Sequence, residues 1–186
     1  MEIPKFHEAV ITTAESYIGY QEYPGNNGFK DKAFDTKMRQ VGFQNGWAWC
    51  SLFAELCWTL PIYDDKSKII AYLTDNFSAN AVRTFENFKN DRSGFFETTK
   101  TPVPGDIAIF EKRKNGESVK KDIWTVGHAA VVAPGITESN FNTIEGNSNS
   151  HGGREGIEVA ALSYRSYNFY DKDGLCLIGF IHCKLD

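Results

Sequence analysis

The spacing of apolar positions changes character about halfway along the chain. After Pro4, Phe6, Ala9, Val10, Thr13, Ala14, Tyr17 and Ile18 recur at the i, i+3, i+4, i+7 interval of an amphipathic helix, and Gly19 is a natural stop. "EYPGNNG", residues 22 to 28, reads as a loop. A weaker helical pattern covers about Lys30 to Val41, and a denser one begins near Cys50 and ends before Pro61. Phe77, Ala81, Val82, Phe85 and Phe88 predict a further helix over residues 77 to 89. From Pro104 the pattern becomes short, β-rich runs separated by turn residues: "DIAIF", "HAAVV", "FNTIEG", "GIEVAAL" and "LCLIGFIH". Asn115-Gly116 between them is a hairpin-turn signal. Helices followed by strands predict an α+β fold, with N-terminal helices packed on an antiparallel sheet of about five or six strands.

Composition narrows the class. With 186 residues, 41% of them hydrophobic, the chain fits a single globular domain spanning 1-186. A net charge of -4 lacks the basic excess of a general nucleic-acid binder. No apolar run approaches the roughly 20 residues of a membrane helix. The opening Met-Glu-Ile-Pro-Lys-Phe-His-Glu does not run from a basic stretch into an apolar one, so no Sec signal is expected in it. The four cysteines, Cys50, Cys57, Cys176 and Cys183, are sparse for a disulfide scaffold and form no Cys-x-x-Cys; reduced thiols are expected.

Candidate chemistry centres on "NGWAWCSLFAELCW", residues 45 to 58. Cysteine is usually a core residue, and Cys50 lines up with Phe53, Ala54, Cys57 and Trp58 on one helical stripe. Cys50 also sits in the first turn, where free N–H groups and the helix dipole favour a thiolate. Cys57 has the same facing without that field and reads as core.

A thiolate nucleophile needs a base, and the base needs an orienting group. Of the four histidines, His7 falls in the polar part of the first helix, and His182 alternates within the last strand as a packed or surface residue. His151 sits in a glycine-rich loop that positions a base poorly. His128 follows Gly127 at the start of a strand, where a rigid element fixes the ring. On the next strand the period-2 rule puts Thr143, Glu145 and Asn147 on one face, which supplies two candidates for the orienting group. Lys112, Arg113, Lys114, Lys120 and Lys121 read as a solvated hairpin.

The order "WCSLF", "PGDIAIF", "GHAAVV", "IEGNSN" resembles the CHAP family, the cysteine, histidine-dependent amidohydrolases/peptidases of the NlpC-type papain-like superfamily. The resemblance runs over roughly residues 16 to 181 and takes in "IGYQEYPGNNG" ahead of the cysteine. It implies a papain-like/CHAP fold and hydrolysis of an amide bond in bacterial peptidoglycan, as a muramoyl-L-alanine amidase or a stem or cross-bridge endopeptidase. Cys50 would be the nucleophile and His128 the base, with Glu145 or Asn147 orienting the ring; a carboxylate fixes the tautomer better and favours Glu145. Trp49, Glu22 and Asn26 would contribute to substrate binding, and a wall-polymer contact is the sharper alternative for the cluster of Lys112, Arg113, Lys114, Lys120 and Lys121. Some members bind calcium through an acidic loop before the cysteine, which "NNGFKDKAFD" does not reproduce, and Asp171 and Asp173 in "DKDG" read as a turn. No metal and no cofactor are expected.

The resemblance further suits a monomeric phage lysin, or an effector delivered into a competitor's periplasm and blocked in the producer by a cognate immunity protein. In either case the chain would be made in the cytoplasm and reach the wall through a holin or a secretion machine. Two rival readings are a cysteine amidohydrolase acting on a small soluble amide and an inactive peptidoglycan-binding module.

Overall fold

In the computed structural model, residues 3–62, 67–149 and 156–185 are described; His151 lies outside them. The helical half holds α1 (Lys5–Ser16), α2 (Lys32–Gln40), α3 (Cys50–Thr59), α4 (Ser67–Asn76) and α5 (Ala81–Lys89). Two of these starts are set by side-chain caps. Asp31 accepts the Phe34 N–H at 2.8 Å to open α2, and Asn80 accepts the Arg83 N–H at 2.9 Å to open α5. The second cap explains why the helix expected over residues 77 to 89 begins only at Ala81. Phe77 instead closes the turn after α4, an element the apolar pattern had not announced.

The strands are β1 (Phe96–Thr99), β2 (Ile107–Lys114), β3 (Glu117–Ser118), β4 (Lys120–Lys121), β5 (Trp124–Thr125), β6 (Gly127–Ala133), β7 (Asn140–Ser148), β8 (Glu158–Ser166) and β9 (Gly174–Cys183). Among the described residues they form a seven-stranded sheet in the order β1-β9-β2-β6-β7-β8, with β3 hairpinned onto β2, and a separate β4-β5 ribbon. All pairings are antiparallel. The fold is therefore α+β, with a sheet slightly larger than the five or six strands expected. Asn115 and Gly116 turn the β2-β3 hairpin with φ of 55° and 83°, the left-handed geometry that such a pair tolerates. Residues 19–22 run along the outer edge of β8, where Glu22 N–H donates to the Ile157 carbonyl at 2.8 Å.

Both faces of the sheet are covered, which accounts for the unbroken apolar runs in β2 and β6. Ile107, Ile109, Ala129, Val131 and Ile144 face the helices and join a core built on Trp49, Phe53, Trp58 and Phe88. Ala108, Phe110, Ala130, Val132, Phe141 and Phe180 face the other way and form a smaller cluster. Helix α3 lies at the centre, packed against β6 and β7 and buried along almost its whole length. No helix among the described residues is long and apolar enough to cross a membrane.

His7 does not follow its expected polar position. It is fully buried, because Gly105 leaves room for its ring: a Cβ there would stand 2.7 Å from the His7 Cβ.

Candidate active site

Cys50 is the first residue of α3 and is 3% exposed. The residue before it, Trp49, gives the helix no side-chain cap. Trp49 is itself fully buried, and its indole N–H donates to Glu22 Oε2 at 2.5 Å. Asn26, with its amide nitrogen turned toward the acceptors, donates to Glu22 Oε2 at 2.8 Å and to Asn147 Oδ1 at 3.0 Å. Burial pushes the Glu22 pKa up, against the opposing pull of the Trp49 and Asn26 N–H groups. The buried Trp49, Glu22 and Asn147 and the half-buried Asn26 thus form one network that anchors the start of α3 to the loop before it and to β7.

The base and its partner come from two neighbouring strands. The register between β6 and β7 pairs Val131 with Ile144, Val132 with Thr143 and Ala133 with Asn142. Beyond those pairs the two strands are joined through side chains, with His128 Nε2 and Glu145 Oε2 2.8 Å apart. Both side chains are essentially fully buried. Glu145 is also gripped from β8, where Arg165 donates from Nε to Oε1 at 2.8 Å and from Nη2 to Oε2 at 2.6 Å. Thr143 donates to Oε1 at 2.6 Å and Ser148 to Oε2 at 3.2 Å. With both oxygens occupied, the carboxylate has little freedom to rotate away from the ring.

Electrostatics link the three groups. Burial alone would lower the His128 pKa, but the charge of Cys50, then that of Glu145, and hydrogen bonds to both outweigh it and raise the value to about 10. Burial likewise works against the Glu145 carboxylate, yet His128 and Arg165 hold its pKa down to about 2. Negative charge at Cys50 on one side and at Glu145 on the other thus favours the protonated ring. Cys57 contrasts with this: it is completely buried, and desolvation pushes its thiol pKa well up, as expected of an inert core cysteine. Among the described residues none of the four cysteines forms a disulfide.

The period-2 rule brings Thr143 and Glu145 together, but it fails at Asn147. A bulge lies between Glu145 and Ser148, and Asn147 has a φ of 53°, so its side chain leaves the His128 side and joins Asn26.

Cys50 borders a cleft of about 480 Å³ whose walls include Trp47, Asn80, Lys121, Trp124 and Gly127. The β4-β5 ribbon, read above as part of a solvated hairpin, forms one side of it. It is tied to α5 by Asn80 Nδ2, which donates to the Thr125 carbonyl at 2.9 Å, and by Arg83, whose guanidinium lies 5.1 Å from the Trp124 ring centre. Trp47 and Trp124 are about half exposed there, and a tryptophan left in a polar stretch was the available signal for both. Trp49, Glu22 and Asn26 are not among the residues lining this cleft.

Among the described residues, one group has the composition of a metal site: His7, Asp106 and His182, with ligand atoms within 4.8 Å of one another. Asp106 already accepts the Val103 N–H through Oδ2, while its Oδ1 lies 2.7 Å from His182 Nδ1 and 3.4 Å from His7 Nε2. The trio ties α1, β2 and β9 together, and the Asp106 contact raises the His182 pKa despite burial.

Comparisons of the chain with models of known families, with curated proteins and with solved structures find no match.

Proposed function

We propose that the protein is a thiol hydrolase of amide bonds in bacterial peptidoglycan, with a CHAP-like, papain-like catalytic arrangement. The observation that carries the reading is the buried chain from Cys50 to His128 to Glu145, opening at Cys50 into a cleft. Isolated cysteines and histidines are common. A helix-start cysteine beside a ring whose far nitrogen is held by a carboxylate is the arrangement that thiol acyl transfer needs.

In the mechanism, the Cys50 thiolate attacks the scissile carbonyl and the C–N bond breaks as His128 passes its proton to the leaving amine. Water then gives a proton to His128 and adds to the acyl carbon, and the C–S bond breaks to release the carboxylic acid and restore the thiolate beside the protonated ring. Glu145 holds the ring through Nε2, which leaves Nδ1 for the sulfur and the leaving group. Backbone donors in the uncapped first turn of α3 stabilise the oxyanion. The two half-exposed indoles beside Cys50 suit a substrate with apolar faces, such as sugar rings or peptide side chains.

Peptidoglycan as substrate rests on the sequence resemblance, as does action at the wall or in the periplasm as a lysin or an effector. The test is to incubate the protein with purified sacculi and identify released fragments by mass spectrometry. New amine and carboxyl ends are expected from the wild type and none from Cys50→Ala. Release by Cys50→Ala at the wild-type rate, or cleavage at a glycosidic bond, overturns the proposal.

A further inference from the structure

Helix α3 carries a second acid that the chemistry above does not use. Glu55 is 4% exposed, on a helix whose other buried residues are apolar except for Ser51. Ser51 has a partner, the Thr84 hydroxyl at 2.9 Å. Glu55 has none among the described residues: burial is the one influence acting on its carboxyl. It borders a second, solvent-open cavity of about 480 Å³ lined by the end of α2, α3, α4 and α5, with the exposed Asp75 and Arg83 at its rim. Trp47, Ser78 and Ala79 line both this cavity and the Cys50 cleft, so the two spaces adjoin. The titratable groups that face Glu55 across the cavity are Asp75 of α4 and Arg83 of α5; α2 contributes only uncharged residues. The Arg83 guanidinium is drawn toward the Trp124 ring and does not neutralise the acid.

We propose that this cavity is a subsite for a cationic amino group of the substrate, with Glu55 and Asp75 supplying the opposing charge. That the amine belongs to the molecule cut at Cys50 rests on the amide-hydrolase reading; that the cavity binds an alkylammonium does not. A buried carboxylate is costly when alone, and an entering ammonium brings it both a counter-charge and N–H donors. An anion would meet two acids, and a neutral group would leave Glu55 protonated, as in the empty site. Because burial raises the Glu55 pKa to about 8, the empty site is protonated near neutrality. Binding of an ammonium should therefore release a proton and tighten as the pH rises toward 8.

The probe is n-butylammonium, titrated into the isotope-labelled full chain by NMR at pH 7.5, with n-butanol and N-butylacetamide as neutral controls. Saturable shifts at Glu55, Asp75 and Ala79 are expected, with affinity at least about ten-fold above either control. Glu55→Gln should lose that preference while Cys50 is alkylated by iodoacetamide at the wild-type rate. The wild-type comparison stands even if the variant folds poorly. Equal affinity for amine and alcohol, or shifts elsewhere on the surface, overturns the subsite. Acetylating the free amines of sacculi should raise KM about ten-fold with kcat retained. Unchanged hydrolysis of acetylated sacculi overturns the role in substrate recognition. Binding of butylammonium by a protein that cleaves no sacculi leaves the cavity assigned and overturns the hydrolase reading alone.

Discussion

At the scale of single residues, one carboxylate controls the protonation of the site. Negative charge on both sides favours the protonated ring of His128, and Glu145 is the side that mutation can discharge while Cys50 stays in place. Glu145→Gln keeps the size and one acceptor, so the ring stays near its place but loses an anionic neighbour. The pKa of His128, raised to about 10 in the wild type, should fall, and the alkaline limb of the pH–rate profile should move to lower pH. Turnover should drop by up to about 10⁴-fold, the loss seen when the orienting acid of a Ser-His-Asp triad is neutralised. An unshifted profile would remove Glu145 from this role. Cys50→Ala and Cys57→Ala give the complementary contrast: the first should abolish turnover with an unchanged melting temperature, the second should retain turnover at a cost of about 1 kcal/mol in urea denaturation. Cys50, His128 and Glu145 were legible in the sequence because helix-start and strand-period rules place them individually. Arg165 was not, since its hold on Glu145 depends on the β7-β8 register, which sets Arg165 opposite Phe141 twenty-four residues away along the chain. The destination of Asn147 was equally hidden, because nothing in "EGNSN" declares a bulge or a positive φ.

At the scale of elements, the site depends on how closely α3 approaches the end of β7. A Cβ on Gly146 would stand 2.5 Å from Trp49 Cζ3 and 2.7 Å from Phe53 Cβ, on residues locked into the aromatic core. Gly146→Ala must therefore push the first turn of α3 away from the strand that carries Glu145. The overpacking should cost about 1–3 kcal/mol in denaturant unfolding. The larger effect should be on kcat, because the displaced turn carries Cys50 while His128 and Glu145 stay with the sheet. Measuring kcat at a temperature where the variant remains folded separates the two, and full activity there would show that the approach of α3 is not what sets the geometry. The elements themselves were unevenly legible. The strands of the central sheet stood out as apolar runs because both faces are buried. β1 is four residues long with one buried residue, too short to show a period. α4 carries Ile69 and Leu73 in a buried i, i+4 row that continues to Phe77 just past its end, too short a stripe to stand apart from the pattern of α5.

At the scale of the whole molecule, burying Glu55 makes stability depend on pH in a direction opposite to that of most acids. Ion-paired carboxylates such as Glu145 have depressed values and add stability that is lost on acidification. Glu55 is raised from 4.5 to about 8, so the folded protein keeps a proton that the unfolded chain has already released. Its contribution is fully present below about pH 4.5, declines as pH rises, and is gone once the pH passes the folded value of about 8. At 1.36 kcal/mol per unit, the loss across that window is roughly 3–5 kcal/mol. Glu55→Gln holds a permanently neutral group of the same shape and has no such slope. Wild type and variant should therefore unfold at similar urea concentrations near pH 4.5, and the variant should be the more stable by several kcal/mol at pH 8.5. The difference between the two curves isolates Glu55 from every other titrating group. Parallel curves would mean that the acid is solvated or paired in solution. A stability penalty of this size, growing as the pH rises from 4.5 to 8, is the cost of holding an acid without a partner in the fold, and an ammonium bound beside it would offset that cost.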